Sequence, residues 1–511
     1  MQVHDELDRM DAQQLREFAT RLLETLTSKD HELRYQELKI EQLTHEMAVL
    51  KRWKFAARSE QLHGAQRTLF DEAIDADLEA IAAELATLRS AEQRQAPTDP
   101  PKRSPLPAQL PRVDVRHEPE QTVCACGCAL KRIGEDVSEK LDYTPGVFHV
   151  ERHIRGKWVC AKCQTLIQAP VPAEVIDKGI PTAGLLAQVL VAKYADHQPL
   201  YRQEGIFERA GVAIPRSTLA QWVGVCGVRL QPLVDALRAR LLECSVLHAD
   251  ETPVAMLTPG KGKTHRAYVW SYSSTQFDAL HGVVYDFADS RAAVHAKAFL
   301  DGWSGKLVCD DYAGYKALFA TGVTEVGCLA HARRKFNDLW VNHQSALAEQ
   351  ALQLFGALYN VERQARELSA EQRQRTRQLQ SRPIADKLRE WLLLHRQTAT
   401  DGTAIAKAID YSLARWDALT RFLDDGDLPI DNNWVENRIR PIALGRSNWL
   451  FAGSLRAGKR AAAVMSLIQS AKLNGHDPYR YLKDVLERLP TQAANRIQEL
   501  LPHCWTPATT V

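Results

Sequence analysis

Apolar residues recur along this chain with three spacings, and each spacing predicts a different kind of element. Between residues 5 and 90 the spacing is helical, with no proline and one glycine, Gly64. Leu26, Leu33, Ile40 and Met47 return every seven residues, and Leu43 and Leu50 follow the last two by three. That is a seam of about three heptads, suited to self-association as a coiled coil or to an in-chain helix partner. Lys29 and Gln36 interrupt its first half. From residue 181 to 245 the spacing is again helical. From residue 246 it changes to short β-prone runs: Val246–Ala249, Ala267–Tyr272, Gly282–Phe287, Leu307–Cys309 and Glu325–Leu329, with a helix over Ala292–Leu300. Residues 341–425 return to a helical pattern rich in Arg, Gln, Leu and Ala.

Breaker residues and cysteines divide these segments. Residues 91–119 hold seven prolines, enough to prevent regular helix and predict an extended linker. Cys124, Cys126 and Cys128 follow, and Cys160-Ala161-Lys162-Cys163 lies about 30 residues on. Two cysteine knuckles at that separation suit a structural, four-coordinate Zn²⁺. The first knuckle offers one thiol too many, so which of its cysteines bind stays open. The predicted order is a helical coiled-coil region (1–90), a linker (91–119), a zinc-finger-like module (120–175) and a helical segment (176–245). A core follows in two parts (246–340 and 426–490), split by a helical insertion (341–425) and ending in a tail (491–511). In the helical segment, Gly211 followed by Ile214-Pro215-Arg216-Ser217-Thr218-Leu219 resembles the turn and second helix of a helix-turn-helix. Ser217 or Thr218 would be the cap.

The chemistry lies in three carboxylates. Asp250 closes the first β-prone run, Asp310 closes the fourth, and Glu436 stands in what reads as a helix start, Asp431-Asn432-Asn433-Trp434-Val435-Glu436. Three strands, a helix and a fourth strand match the opening of a ribonuclease H-like α/β fold, in which the first and fourth strands are neighbours. Carboxylates clustered there would repel one another, so the cluster calls for hard divalent cations, two Mg²⁺ or Mn²⁺. Glu251 and Asp311 are rival ligands one residue away, facing the other way along a strand. His331, Arg333 and Arg334 are placed to grip a phosphate or to form an ordinary basic surface.

Net charge is only +2, but from Asn437 to His476 there is no acidic residue. That stretch carries Arg438, Arg440, Arg446, Arg456, Lys459, Arg460 and Lys472, which suggests a phosphate-facing surface. Lys51-Arg52-Trp53-Lys54-Phe55-Ala56-Ala57-Arg58 is a basic, aromatic stretch that suits either DNA or a neighbouring helix. No apolar run is long enough for a membrane helix and the N-terminus is charged, so the expected location is cytoplasmic.

Several stretches together carry a family resemblance. They are His248-Ala249-Asp250-Glu251-Thr252, Asp310-Asp311-Tyr312-Ala313-Gly314-Tyr315 and Gly327-Cys328-Leu329-Ala330-His331-Ala332-Arg333-Arg334-Lys335-Phe336. Asp431-Asn432-Asn433-Trp434-Val435-Glu436, Leu444-Gly445-Arg446-Ser447-Asn448-Trp449 and the later Asn474-Gly475-His476-Asp477-Pro478-Tyr479 continue the set. The chain resembles a DDE transposase of the insertion-sequence-66 family over nearly its whole length. The resemblance implies Asp250, Asp310 and Glu436 as the catalytic, metal-holding triad. It also implies cleavage and joining of double-stranded DNA at element ends, self-association, and small accessory proteins encoded beside the transposase. Arg438, Arg440, Arg446, Asn448 and Trp449 join His331, Arg333 and Arg334 as expected DNA contacts. Two departures stand out. The first cysteine knuckle lacks the usual Cys-x-x-Cys, and Asn437 and Ser447 replace basic residues common in the family. A nuclease of the same fold that cuts without joining, and a zinc-dependent DNA-binding regulator with an inactive core, are the alternatives.

Overall fold

The computed structural model describes residues 12–56, 64–88, 106, 108, 110–119, 123, 128–144, 146–176, 179–258 and 263–507. Side chains are described along the first helix from residue 25 to 51 and along the second from 74. The heptad pattern folds as helix α1 (Ala12–Ala56), followed by α2 (Gly64–Leu88). Leu43 and Leu50 are 0% and 4% exposed against Ile74, Ile81 and Leu85 of α2. Leu26 and Leu33, earlier on the same seam, are 62% and 57% exposed. The seam is therefore divided: from Ile40 onward it packs within the chain, and only its first part stays open. The side chains of Arg52–Arg58 lie outside the described residues.

A small sheet comes next, of β1 (Arg112–His117), β2 (Leu130–Thr144), β3 (Val147–Cys160) and β4 (Leu166–Gln168). β2 and β3 form a long antiparallel hairpin, and β1 runs parallel to β3 on its other edge. β1 corrects the expected linker, whose last part is a strand. The carbonyl of Pro111, just ahead of β1, accepts from the Val150 N–H at 2.7 Å, which starts the pairing.

Helices α3 (Ala183–Tyr194), α4 (Leu200–Arg209) and α5 (Arg216–Leu241) follow. The turn before α5 uses Gly211 at φ +89°, a conformation open to glycine. The expected cap at Ser217 or Thr218 is replaced by Glu204, whose Oε1 accepts from the Arg216 N–H at 2.9 Å. α5 is a central core helix that buries Leu219, Trp222, Val223, Cys226, Leu230, Leu233 and Leu237. At Gly224 a Cβ would lie 2.4 Å from the Ala76 carbonyl oxygen of α2, so these helices touch backbone to backbone.

The larger sheet has the order β7-β6-β5-β8-β9, from β5 (Val246–Thr258), β6 (Lys263–Ser274), β7 (Val283–Ala288), β8 (Lys306–Cys309) and β9 (Thr324–Gly327). β5–β6 and β6–β7 are antiparallel, while β5–β8 and β8–β9 are parallel. Helix α6 (Ala293–Phe299) and the short α7 (Lys316–Phe319) lie in the connections. β5 runs eight residues beyond Asp250, where a strand end was expected, because β6 pairs with it as far as Thr258.

After β9 come α8 (Leu329–His343), α9 (Ala346–Ala365), α10 (Ala370–Thr376), α11 (Arg382–Thr398), α12 (Ala404–Ala414) and α13 (Trp416–Thr420). They enclose a second core of Phe336, Phe355, Leu388, Leu392, Ile409 and Phe422, seated on Val246, Val308 and Val326 of the sheet. The chain then returns through α14 (Asn433–Trp449), α15 (Leu455–Leu473) and α16 (Pro478–Arg488). α15 covers β7, with Ser466 and Ser470 hydroxyls accepting from the Tyr285 and Val283 N–H groups. No helix among the described residues is long and apolar enough to cross a membrane.

The basic run divides here, against the single phosphate-facing surface expected of it. Arg456 is paired with Glu46 at 2.9 Å and Glu84 at 2.8 Å, and Arg460 with fully buried Asp77 at 3.0 Å. These arginines hold α1 and α2 to the core. Burial pushes the Asp77 carboxyl up, and Arg460 is the main charge opposing that push. Arg460→Ala should therefore leave a buried carboxyl uncompensated and cost about 3–5 kcal/mol. Amide hydrogen exchange across residues 64–88 should accelerate strongly, and the double change Arg460→Met with Asp77→Leu should restore most of the protection. Unchanged exchange in Arg460→Ala would show that the pair does not hold α2 in place.

Candidate active site

The register of two parallel strands sets the first half of the site. β5 and β8 pair as Val246↔Lys306, Leu247↔Leu307 and His248↔Val308. Two residues further along each strand, the same register brings Asp250 beside Asp310. Asp310 lies just past the end of β8, and its carboxylate turns the chain by accepting from the Tyr312 N–H at 2.9 Å.

Glu436 arrives on the first turn of α14, and that helix is fastened to β5 at both ends. At its start, buried Asn432 donates from Nδ2 to the Ala249 carbonyl at 2.8 Å, next to Asp250. Asn432 Oδ1 lies 2.7 Å from His248 Nδ1, which must therefore be the protonated ring nitrogen. The Asn432 N–H points to Cys328 Sγ at 3.2 Å. Burial drives the His248 imidazole down to about 4, so it stays neutral. Past the end of α14, the Ala452 N–H donates to the Ala255 carbonyl at 2.8 Å and the Leu257 N–H to the Ala452 carbonyl at 2.9 Å.

These contacts concentrate negative charge. Asp250 is pushed up to about 8, first by burial and then by the charges of Glu251, Glu436 and Asp310. Glu251 is already committed. Its carboxylate takes Arg291 Nε at 2.7 Å and the Tyr315 hydroxyl at 2.7 Å. Asp311 faces Arg415 at 3.6 Å and Lys316 at 3.7 Å. Each expected rival ligand thus has a cationic partner of its own.

Glu436 lies beside α8. His331 Nδ1 is 3.7 Å from Glu436 Oε1, and Arg334 Nη2 is 3.5 Å from Oε2. His331 Nδ1 and Glu436 Oε1 are both buried and have no hydrogen-bond partner. Burial lowers the His331 imidazole, so it is a neutral neighbour of Glu436 more than a cationic phosphate grip. Among the described residues, ligand atoms of Cys328, His331 and Glu436 all lie within 4.8 Å of one another, whereas Asp250, Asp310 and Glu436 do not close into one such group. An open groove over the site is lined by Arg291, Asp310, Tyr312, His331, Arg334 and Lys335. The donors fit divalent cations: hard oxygen ligands, mutually repelling, with an orphaned buried Glu436 oxygen.

The other expected DNA contacts fall in different settings. Arg333, Arg334, Arg440 and Asn448 are exposed. Arg333 lines a second groove with Tyr359, Arg363 and Asn433. Arg446 is half-buried and donates to the Pro253 carbonyl at 2.5 Å. Arg438 is half-buried over the Trp434 ring at 4.2 Å, and Trp449 packs against the main core. Cys128 packs beside Cys160 at the open end of the β2–β3 hairpin, where Leu130 pairs with Cys160, and Cys163 lies exposed in the turn after β3. Cys124 and Cys126 lie outside the described residues. Sequence reasoning passed over Arg291 and Arg415 and gave Asn432 no positioning role. Polar residues inside apolar runs, such as His248, were the available signal.

Comparisons with known proteins bear on the family of the chain. Residues 178–460 match the family described as "Transposase IS66 family", and residues 466–503 match its "IS66 C-terminal element". Residues 121–164 match the "zinc-finger binding domain of transposase IS66" and residues 42–115 the "Transposase C of IS166 homeodomain". The chain belongs to the IS66 transposase family. Two relatives, both from Sinorhizobium fredii (strain NBRC 101917 / NGR234), are uncharacterized proteins. y4jD is 40% identical over 78% of this chain and 81% of its own length, and y4qI is 38% identical over 92% and 90%.

Two outcomes test the geometry of this IS66-family site. Asn432→Ala orphans the buried His248 N–H and the Ala249 carbonyl, each costing about 1–3 kcal/mol. Thermal stability should fall, and strand cleavage should drop roughly 100-fold as Glu436 shifts against Asp250. Cleavage at the wild-type rate would rule out that positioning role. The second outcome concerns pH. A carboxyl whose folded value is raised binds its proton more tightly when folded, so stability is greatest near or below the unfolded value of about 4. It falls as pH rises and reaches its full loss above about 8. With no Mg²⁺ or Mn²⁺ added, Asp250→Asn should flatten the fall in melting temperature between those limits. Parallel profiles for the two proteins would contradict the assignment.

Proposed function

We propose that this chain is a metal-dependent transposase with a ribonuclease H-like core, which cuts DNA at the ends of its element and joins the 3′-ends to a target. The observation that carries the reading is the β5–β8 register, which sets Asp250 beside Asp310, with Glu436 on a helix strapped to the same strand. The strand order of the larger sheet supports the core assignment.

Asp250, Asp310 and Glu436 would hold a pair of Mg²⁺ or Mn²⁺ ions, which supply charge neutralisation at the attacking and leaving oxygens of an in-line displacement. Asp250 feels the charges of both other carboxylates, and binding of a cation would relieve that repulsion. Arg291 keeps Glu251 out of the ligand set. Arg415 donates to the Asp310 carbonyl at 3.3 Å and holds the loop after β8. Arg334 and Lys335, exposed along the groove, are suited to phosphates, and Arg333, Arg440 and Asn448 extend that surface. Zn²⁺ would be held by Cys160 and Cys163 together with thiols of the first knuckle. The open first part of the α1 seam suits a second copy of this chain, and small accessory proteins from the same element are further candidate partners.

The test is strand cleavage and joining on labelled element-end DNA with Mg²⁺ or Mn²⁺, with accessory proteins present. Wild type should cleave and join, and Asp310→Asn should bind DNA normally but lose activity by more than about 100-fold, beyond the usual cost of an outer-shell change. Cleavage without joining would favour the nuclease reading. DNA binding with neither activity would favour the regulator with an inactive core.

A further inference from the structure

The closed end of the β2–β3 hairpin carries a cluster that the catalytic reading does not use. His149, Glu151 and His153 alternate along β3 and so share one face of the sheet, while Phe148, Val150 and Ile154 fill the other. Asp142 of β2 pairs directly with His149. His149 Nε2 is 3.0 Å from Asp142 Oδ2 and 3.8 Å from Glu151 Oε1. One ligand atom from each of Asp142, His149 and Glu151 lies within 4.8 Å of the other two.

Each ligand candidate is also held from behind. The Thr182 hydroxyl donates to Asp142 Oδ1, leaving Oδ2 toward His149. Asp142 is 3% exposed and sits under the start of α3, where Gly184 makes room: a Cβ there would lie 2.5 Å from Oδ1. Glu151 Oε2 is 3.4 Å from His153 Nε2, and His153 Nδ1 is 3.0 Å from His117 Nε2 of β1. Orientation of metal-binding carboxylates through a further shell of hydrogen-bonding groups is a general feature of metal sites.

Charge around the cluster is unbalanced. α16 closes over it with Lys483 and Glu487, and Glu487 feels both Glu151 and Asp142. Arg152 points to the opposite face, toward Asp114 and Glu139. Three carboxylates therefore face one lysine and two imidazoles, those of His149 and His153. A proton on Nε2 can make a hydrogen bond to Asp142 but not to Glu151 at 3.8 Å. A divalent cation can serve both carboxylates and the imidazole nitrogen at once.

We infer that Asp142, His149 and Glu151 form a further metal site, for Zn²⁺ or a similar first-row divalent cation, that fastens the small sheet to α3 and α16. One nitrogen and two carboxylate oxygens make a set that suits Zn²⁺ better than Mg²⁺. The site lies about eleven residues along β3 from Cys160, roughly 36 Å at strand rise, so it is separate from the cysteine knuckles.

The experiment uses the full chain, purified without chelator and dialysed against Zn²⁺, with bound zinc measured per chain. Wild type should carry one more equivalent than His149→Gln and than Glu151→Gln, and Cys163→Ser should retain that equivalent. Added Zn²⁺ should raise the melting temperature of wild type more than that of either variant. Two variants are used so that poor folding of one leaves the other informative, and near-ultraviolet circular dichroism checks both. Equal zinc content and equal Zn²⁺-induced shifts in wild type and a folded variant would overturn the site. Neither readout depends on DNA chemistry.

Discussion

The structure depends on the strapping of α14 to β5. A helix carrying Glu436 must meet a strand carrying Asp250 after a helical insertion of some ninety residues, and carboxylate repulsion opposes the meeting. Two backbone attachments make it hold. The Asn432 side chain bonds the Ala249 carbonyl and His248 at one end of the helix, and Ala452 bridges Ala255 and Leu257 at the other. Asn432 is buried, so its hydrogen bonds have no water to replace them. The helix can slide or rotate only by giving up those bonds.

Around that strap, cations sort the acidic residues into two groups. Glu251 and Asp311 have Arg291, Lys316 and Arg415 as partners. Asp250 has burial and three neighbouring negative charges. In a low-dielectric setting a carboxylate without a counter-charge holds its proton. Paired and unpaired carboxylates thus stand side by side, Glu251 next to Asp250 on β5 and Asp311 next to Asp310 just past β8.

Charge plays a different part at the N-terminal hairpin. Arg456 and Arg460 lie in a stretch with no acidic residue of its own, yet their partners are Glu46, Glu84 and Asp77. Nearly 400 residues separate the two sides. The hairpin of α1 and α2 thereby becomes part of the wall of the core, against α5, and the open start of α1 extends from a fixed base. A local excess of positive charge in a sequence is a statement about neighbours in sequence only.

Much of this was readable from the chain. Hydrophobic spacing located the starts of four strands of the larger sheet to within a residue, because side chains alternate with the pleat, whereas β6 begins four residues before the expected Ala267. The His248–Thr252, Asp310–Tyr315 and Asp431–Glu436 motifs pointed to Asp250, Asp310 and Glu436 as candidates, and their order along the chain carried the family. The end of β5 was misplaced, since its extension comes from pairing with β6 and with Ala452, not from its own residues. β1 was hidden in a proline-rich segment because its partner, β3, lies over thirty residues away.

The sequence by itself determined the element types, the identity of the acidic residues and the family, since these depend on local spacing and on side-chain chemistry. Tertiary structure decided which carboxylates stay uncommitted, which arginines hold helices, and which part of the heptad seam faces its own chain. Those outcomes depend on burial and on partners far away in sequence, where a charge is worth most and where neighbours along the chain say nothing about neighbours in space.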